Sequence, residues 1–140
     1  MLPLRLVLDT NIVISAALKP EGAERTILLF ALTKPARCYV SNAILDEYAA
    51  VLARPELRIR KGQRLQLLQW IRNRATVISP KSLPQITTDL EDNIFIECAD
   101  SARADYIVSG NLRHFPKFWK NTKIINSREF LAVVAPHLEL

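Results

Sequence analysis

The chain has 140 residues, 49% of them hydrophobic and 24% charged, with a formal net charge of +5. This is the size and balance of one globular unit with one core, so residues 1–140 are read as a single domain. No apolar run approaches the roughly 20 residues that a bilayer crossing needs, and Pro3, Arg5 and Asp9 interrupt any leader-like start, so no membrane contact and a cytoplasmic location are expected.

In chain order, Leu4 to Leu8 is a short apolar run that reads as a strand buried on both faces. It ends in Asp9-Thr10-Asn11, followed by a short helix over Ile12–Leu18 that Lys19-Pro20-Glu21-Gly22 stops. Asp9 or Thr10 suits the cap of that helix. Asp9 equally suits chemistry, because groups just past the carboxyl end of a strand in an open α/β sheet face the ligand crevice. A second helix is expected from about Ala23 to Thr33, ended by Pro35. Cys38-Tyr39-Val40 reads as a strand and Ser41 or Asn42 as the cap of the next helix, about Ala43 to Ala53. On that helix Ile44, Leu45, Tyr48, Val51 and Leu52 share a stripe, with Glu47 at its border and Asp46 on the far side.

Past Arg54-Pro55 the helical spacing of Leu65, Leu68 and Ile71 predicts a helix from Glu56 to about Arg74, carrying Arg58, Arg60, Lys61, Arg64, Arg72 and Arg74 against one acid, Glu56. Such a basic surface suits a phosphate backbone or an acidic partner, and equally a solvated face. Thr76-Val77-Ile78 is a third strand and Pro80 to Thr88 a loop. Asp89, Glu91 and Asp92 precede an amphipathic helix with Ile94, Phe95, Cys98 and Ala102 inward; acids there also suit the helix dipole. Tyr106 to Ser109 is a fourth strand, followed by Gly110-Asn111. Leu112 to Asn121 is a loop, Ile124-Ile125 a fifth strand, and Ser127 opens a last helix over Arg128–Val134. The alternation of strands and helices predicts an α/β fold with a mainly parallel five-stranded sheet and helices on both faces. Cys38 and Cys98 lie in apolar segments without metal-type spacing and read as buried free thiols.

Asp9, the inward-leaning Glu47, the helix start at Asp92 and Ser109-Gly110-Asn111 can all reach one sheet edge. Oxygen ligands drawn from separated segments suit a hard divalent cation, whereas bare carboxylates gathered together would repel. No nucleophile stands out beside His114 or His137, and the chain has neither a Walker A sequence nor GxGxxG. The basic balance, with a pI near 9.5, favours an anionic partner, of which nucleic acid is the commonest.

The stretches Leu6-Val7-Leu8-Asp9-Thr10-Asn11, Ser41 to Arg54 with Glu47 inside it, Asp92-Asn93 at a helix start, and Tyr106-Ile107-Val108-Ser109-Gly110-Asn111 agree in order and spacing with one family. The chain resembles the PIN-domain ribonucleases, and more narrowly the toxin component of prokaryotic toxin–antitoxin pairs (VapC-like). The resemblance spans nearly the whole chain. It implies a three-layer α/β/α fold and a Mg2+- or Mn2+-dependent endoribonuclease acting on single-stranded RNA. Asp9, Glu47 and Asp92 are then the metal-site acids, and Asn111 a further residue of the catalytic site. Asn11 and Ser109 match polar positions that orient the acids. Arg58, Arg64, Arg113 and Lys117 are expected to hold RNA. The family often has an acid where this chain has Asn111, which removes one negative charge and weakens the case for a second tightly held ion.

The resemblance also implies a cognate antitoxin protein as partner, and a homodimer with the apolar segment Ile27 to Leu32 as its candidate surface. The alternative reading is a catalytically weak or inactive module on the same fold that binds RNA or protein, for which Asn111 speaks. A haloacid-dehalogenase phosphatase would need an aspartate two residues past Asp9, where this chain has Asn11.

Overall fold

The computed structural model describes residues 3–83 and 90–137; the side chains of residues 90–92 and 137 fall outside that description. The elements in order are β1 (Arg5–Leu8), α1 (Thr10–Leu18), α2 (Ala23–Ala31), β2 (Arg37–Val40), α3 (Asn42–Leu52), α4 (Lys61–Arg74), β3 (Thr76–Val77), α5 (Leu90–Ala102), β4 (Tyr106–Val108), β5 (Phe118–Trp119), β6 (Thr122–Ile125) and α6 (Ser127–Val134). The sheet order is β3-β2-β1-β4-β6-β5, parallel throughout except for the β5–β6 pair. With right-handed crossovers, α1 to α4 serve the steps from β1 out to β3 and α5 the return to β4, so helices cover both faces in a three-layer α/β/α fold.

The strand order reverses at β1, which has β2 on one side and β4 on the other. Chains leaving the carboxyl ends of β1 and β4 diverge there, opening the crevice in which ligands of such sheets bind. Leu6, Val7 and Leu8 are buried on both faces, as the unbroken apolar run requires. Around them Ile44, Tyr48 and Leu52 of α3, Phe95, Ile96 and Ala99 of α5, and Ile107 and Val108 of β4 complete the core. Phe130 of α6 joins Phe30 and Tyr106 edge-on, with ring centroids 5.8 and 6.2 Å away.

The structure corrects the sequence reading in four places. The sheet has six strands rather than five, because Phe118–Trp119, read as loop, forms a hairpin with β6. A two-residue strand is too short to display an alternating pattern. The basic helix expected from Glu56 to Arg74 is split. A 3-10 turn over Pro55–Leu57 ends at Arg58 in the left-handed region (φ 55°), and α4 starts afresh at Lys61. Its inward residues are Leu67 and Ile71, while Leu65 is 52% exposed. On α5 the buried stripe includes Ile96 and Ala99 beside Phe95 and Cys98, and Ile94 is only half-buried. Finally, Ile27, Leu28, Ala31 and Leu32 are buried within the chain, which leaves Leu29 as the exposed large residue of the expected self-association surface. Residues 84–88 of the expected loop lie outside the described residues.

Candidate active site

Asp9 leaves β1 in extended conformation and caps α1, its Oδ1 accepting from the Thr10 amide at 2.8 Å. The cap and chemistry readings of Asp9 are therefore compatible, since its second oxygen points elsewhere. Asp9 Oδ2 accepts from the Ser109 hydroxyl at 2.6 Å, which ties the end of β1 to the end of β4. Ser109 is fully buried, and its Oγ in turn accepts from the Asn111 amide at 2.9 Å. A carboxylate that is only 6% exposed is thus met by an amide, a hydroxyl and the positive end of α1. Asn11 fastens the same two strand ends a residue further on, its Oδ1 accepting from the Gly110 amide at 3.0 Å. The two approach so closely that a Cβ on Gly110 would lie 3.4 Å from the Asn11 side chain.

Glu47 reaches this edge because α3, capped by Ser41 Oγ accepting from the Ile44 amide, crosses the end of β1. The crossing is anchored by Tyr48, whose hydroxyl donates to the Leu8 carbonyl. Burial pushes the Tyr48 phenol well above its ordinary value, so it stays protonated as the donor. One residue before it, half-buried Glu47 accepts through Oε2 from the Thr10 hydroxyl at 2.7 Å. Thr10 therefore stands between the two carboxylates, its amide on Asp9 and its hydroxyl on Glu47.

Asp92 falls in the first turn of α5, with its side chain outside the described residues. That helix ends four residues before β4 starts, so it runs against the strand direction and begins at the carboxyl edge. Asn111 is half-buried, with its side-chain amide 3.4 Å from His114 Nε2. Among the described residues no three His, Cys, Asp or Glu side chains gather as a metal site. The donors at the Asp9–Glu47 edge are all oxygen, carboxylates backed by hydroxyls, which is the set a hard cation such as magnesium or manganese takes. Nitrogen and thiolate ligands, which would suit softer metals, are not part of it: Cys38 and Cys98 are buried, and burial pushes both thiols up to about 12.

The basic residues divide. Arg113 follows directly from Asn111 in a 3-10 turn over Leu112–His114, and Lys117 leads into β5; both are exposed. Arg64 lies elsewhere, in a groove of about 380 Å3 shared with Ala17, Arg25 and Trp70, near the far end of α1. Trp70 is there flanked by the guanidinium groups of Arg25 and Arg74, 5.8 and 5.7 Å from its ring centre. Arg58 is exposed in the left-handed turn before α4. Arg58 and Arg64 therefore share α4's surroundings, whereas Arg113 and Lys117 follow the chain out of the candidate site.

Two residues of the site escaped the sequence reading. In the sequence Thr10 reads only as a cap and Tyr48 only as part of an apolar stripe. The signal for Tyr48 was its hydroxyl, which has to find an acceptor once the ring is buried.

The family model for the PIN domain matches residues 5–113 of this chain. An uncharacterized protein of Methanocaldococcus jannaschii is 29% identical over 140 aligned residues, covering 91% of this chain and 90% of its own length. Among solved structures, the crystal structure of VapBC2 from Rickettsia felis bound to a DNA fragment from their promoter contains a chain of the same fold. That chain aligns with a TM-score of 0.63 at 18% identity, over 88% of this chain and 98% of its own. No helix among the described residues is long and apolar enough to cross a membrane.

Proposed function

This chain belongs to the PIN-domain family, and from that premise we propose that it is a metal-dependent endoribonuclease cutting single-stranded RNA, acting as one domain over residues 1–140. The observation that carries the proposal is the convergence of Asp9 and Glu47, 38 positions apart, on the two donors of Thr10 at a strand-order reversal. Asp9, Glu47 and Asp92 would hold a magnesium or manganese ion. Such an ion, when bound, supplies Lewis acidity, lowering the pKa of an attacking water and offsetting charge on the phosphate.

The chain's own residues do the positioning. Ser109 and the Thr10 amide fix both oxygens of Asp9, and Thr10 together with Tyr48 fixes Glu47 against the end of β1. Asn11 and Gly110 keep the two strand ends from spreading. Asn111 stands at the rim of the same edge, and Arg113 and Lys117 beside it would hold the phosphate backbone. The products would carry 5′-phosphate and 3′-hydroxyl ends.

The family and the fold shared with a VapBC2 chain also support a toxin role in the cytoplasm, with a small antitoxin protein as partner and self-association as a homodimer. A short reading frame next to this gene, encoding a protein that co-purifies with this chain and blocks cleavage, is the expected result.

The experiment is degradation of a labelled single-stranded oligoribonucleotide with manganese, with chelator, and by Asp9→Asn. Asparagine caps a helix as well as aspartate, so the variant keeps the cap while it loses the charge and turns the oxygen that faces Ser109 into a donor. Cleavage by the native chain that chelator and Asp9→Asn both abolish is the expected outcome. Binding without cleavage would favour the second reading, a PIN-fold binding module, to which the neutral Asn111 points.

A further inference from the structure

The β5–β6 hairpin presents a feature that the carboxylate site does not use. Phe118 and Lys123 are directly paired across the two strands, so their side chains rise from the same face of the hairpin. The next pair, Trp119 and Thr122, faces the other way. Thr122 is buried with its hydroxyl donating to the Ala104 carbonyl at 2.6 Å, and Trp119 Nε1 donates to Asp100 at 2.9 Å. The outward face thus carries a phenyl ring that is 64% exposed beside an exposed lysine.

This pair lines an open cavity of about 610 Å3, whose wall also includes Leu112, Lys117 and Lys120. Leu112 is the residue after Asn111, and β6 ends beside Ser109, whose amide donates to the Ile125 carbonyl at 2.9 Å. The cavity therefore starts one residue past Asn111, at the carboxyl end of β6, and follows the hairpin away from there. Lys120 is held by Asp100 at 2.8 Å, and the one acid among the described residues of the wall, Glu129, is engaged in the capping box of α6, which leaves Lys117 and Lys123 facing the opening. Lysines alone are a common guard on an edge strand. A guarded edge gains nothing from an exposed phenyl ring, however, and the two together are what a single strand needs: a flat surface for a base and cations for phosphates.

We infer that this hairpin face is a track for single-stranded RNA leading into the carboxylate site, with Phe118 as the base platform and Lys117 and Lys123 as phosphate contacts. The inference deepens the nuclease reading by assigning where the strand lies, but it is tested through binding, without cleavage. The affinity of a fluorescein-labelled single-stranded oligoribonucleotide is measured by anisotropy in EDTA. Phe118→Ala weakens binding about tenfold, within the range for loss of one stacked base, and Phe118→Trp restores it. The double variant Lys117→Glu/Lys123→Glu weakens binding independently of the ring. Lys117→Ala/Lys123→Ala lowers the slope of log affinity against log salt by about 1.4. Melting temperatures equal to that of the native chain show that these exposed positions leave the fold intact.

Loss of binding in the variants, with no manganese-dependent cleavage by the native chain, keeps the track and removes the nuclease reading. Native cleavage with binding unchanged in all variants overturns the track and keeps the nuclease. A native chain that binds no RNA overturns the track as well. So does a Phe118→Ala chain that sediments as a monomer where the native chain is a dimer and binds RNA equally, because the face then belongs to a second copy.

Discussion

The hydroxyl of Thr10 donates to Glu47 Oε2 at 2.7 Å, while the amide of the same residue donates to Asp9 Oδ1 at 2.8 Å. One residue at the start of α1 thus sets the relative placement of two acids from different elements. Thr10 is 6% exposed, so its hydroxyl has few alternatives to this partner.

Thr10→Val keeps the volume and the amide and removes only the hydroxyl. The loss of one hydrogen bond to a half-buried carboxylate lowers stability by about 1 kcal/mol. The effect on cleavage is larger, about tenfold to a hundredfold in kcat with little change in KM, because a displaced Glu47 is mispositioned rather than missing. Thr10→Ser restores the rate. Equal rates for the valine and threonine chains would remove Thr10 from the positioning of Glu47.

Asn111→Asp adds a carboxylate, next to His114, on the residue whose backbone amide donates to Ser109, which itself donates to Asp9. Without metal the added like charge lowers the melting temperature. Manganese then raises the melting temperature of the variant by more than that of the native chain, as tighter binding to the folded state requires. Equal metal-induced shifts in the two chains would place residue 111 outside the reach of the ion.

Both thiols are sealed in the core. Cys38 is 3% exposed and Cys98 fully buried, and burial pushes each up to about 12. At about pH 8 only some one part in ten thousand of such a thiol is ionised. Ellman's reagent should therefore find no reactive thiol in the folded chain and two in guanidinium. Rapid labelling of the folded chain would show that α5 and β2 separate readily.

Asp100 lies at the opposite edge of the sheet from the candidate site. Its carboxyl is held below the usual range, first by the hydrogen bond from Lys120 and then by that from Trp119. The folded state thus favours the ionised form. That contribution is complete above the unfolded value of about 3.9 and is lost as pH falls through the folded one. Lys120 is 65% exposed, so the pair contributes under about 1 kcal/mol. Asp100→Asn is expected to melt lower than the native chain at neutral pH, by at most about 4 °C, with the gap closing in acid. A gap of constant size down to about pH 2 would assign the effect to packing rather than to charge.

Much of this was legible in the linear chain, for identifiable reasons. The run Leu6-Val7-Leu8 announces a strand with both faces covered, and the alternation of short apolar runs with helical stripes announces a parallel sheet. Asp9 is marked by its position after that strand, and Glu47 by its place at the border of a stripe. Short or polar elements were not legible. β5 has two residues, and α4 hides an inward pair, Leu67 and Ile71, among residues that fit a different stripe equally well. The left-handed Arg58 that splits the basic segment carries no residue signal, because such a turn usually advertises itself with glycine or asparagine.

What sequence determined by itself was the chemical inventory and its periodicity: acids at element ends, cations in two clusters, a fold class and a family. What only the tertiary structure decided was which groups meet. Thr10 lies beside Glu47, Ser109 beside Asp9, and Phe118 opposite Lys123 because strand order and register put them there. Periodicity reports which face of an element is buried. Contacts between elements depend on crossovers and pairings that many different chains of the same pattern satisfy in different ways.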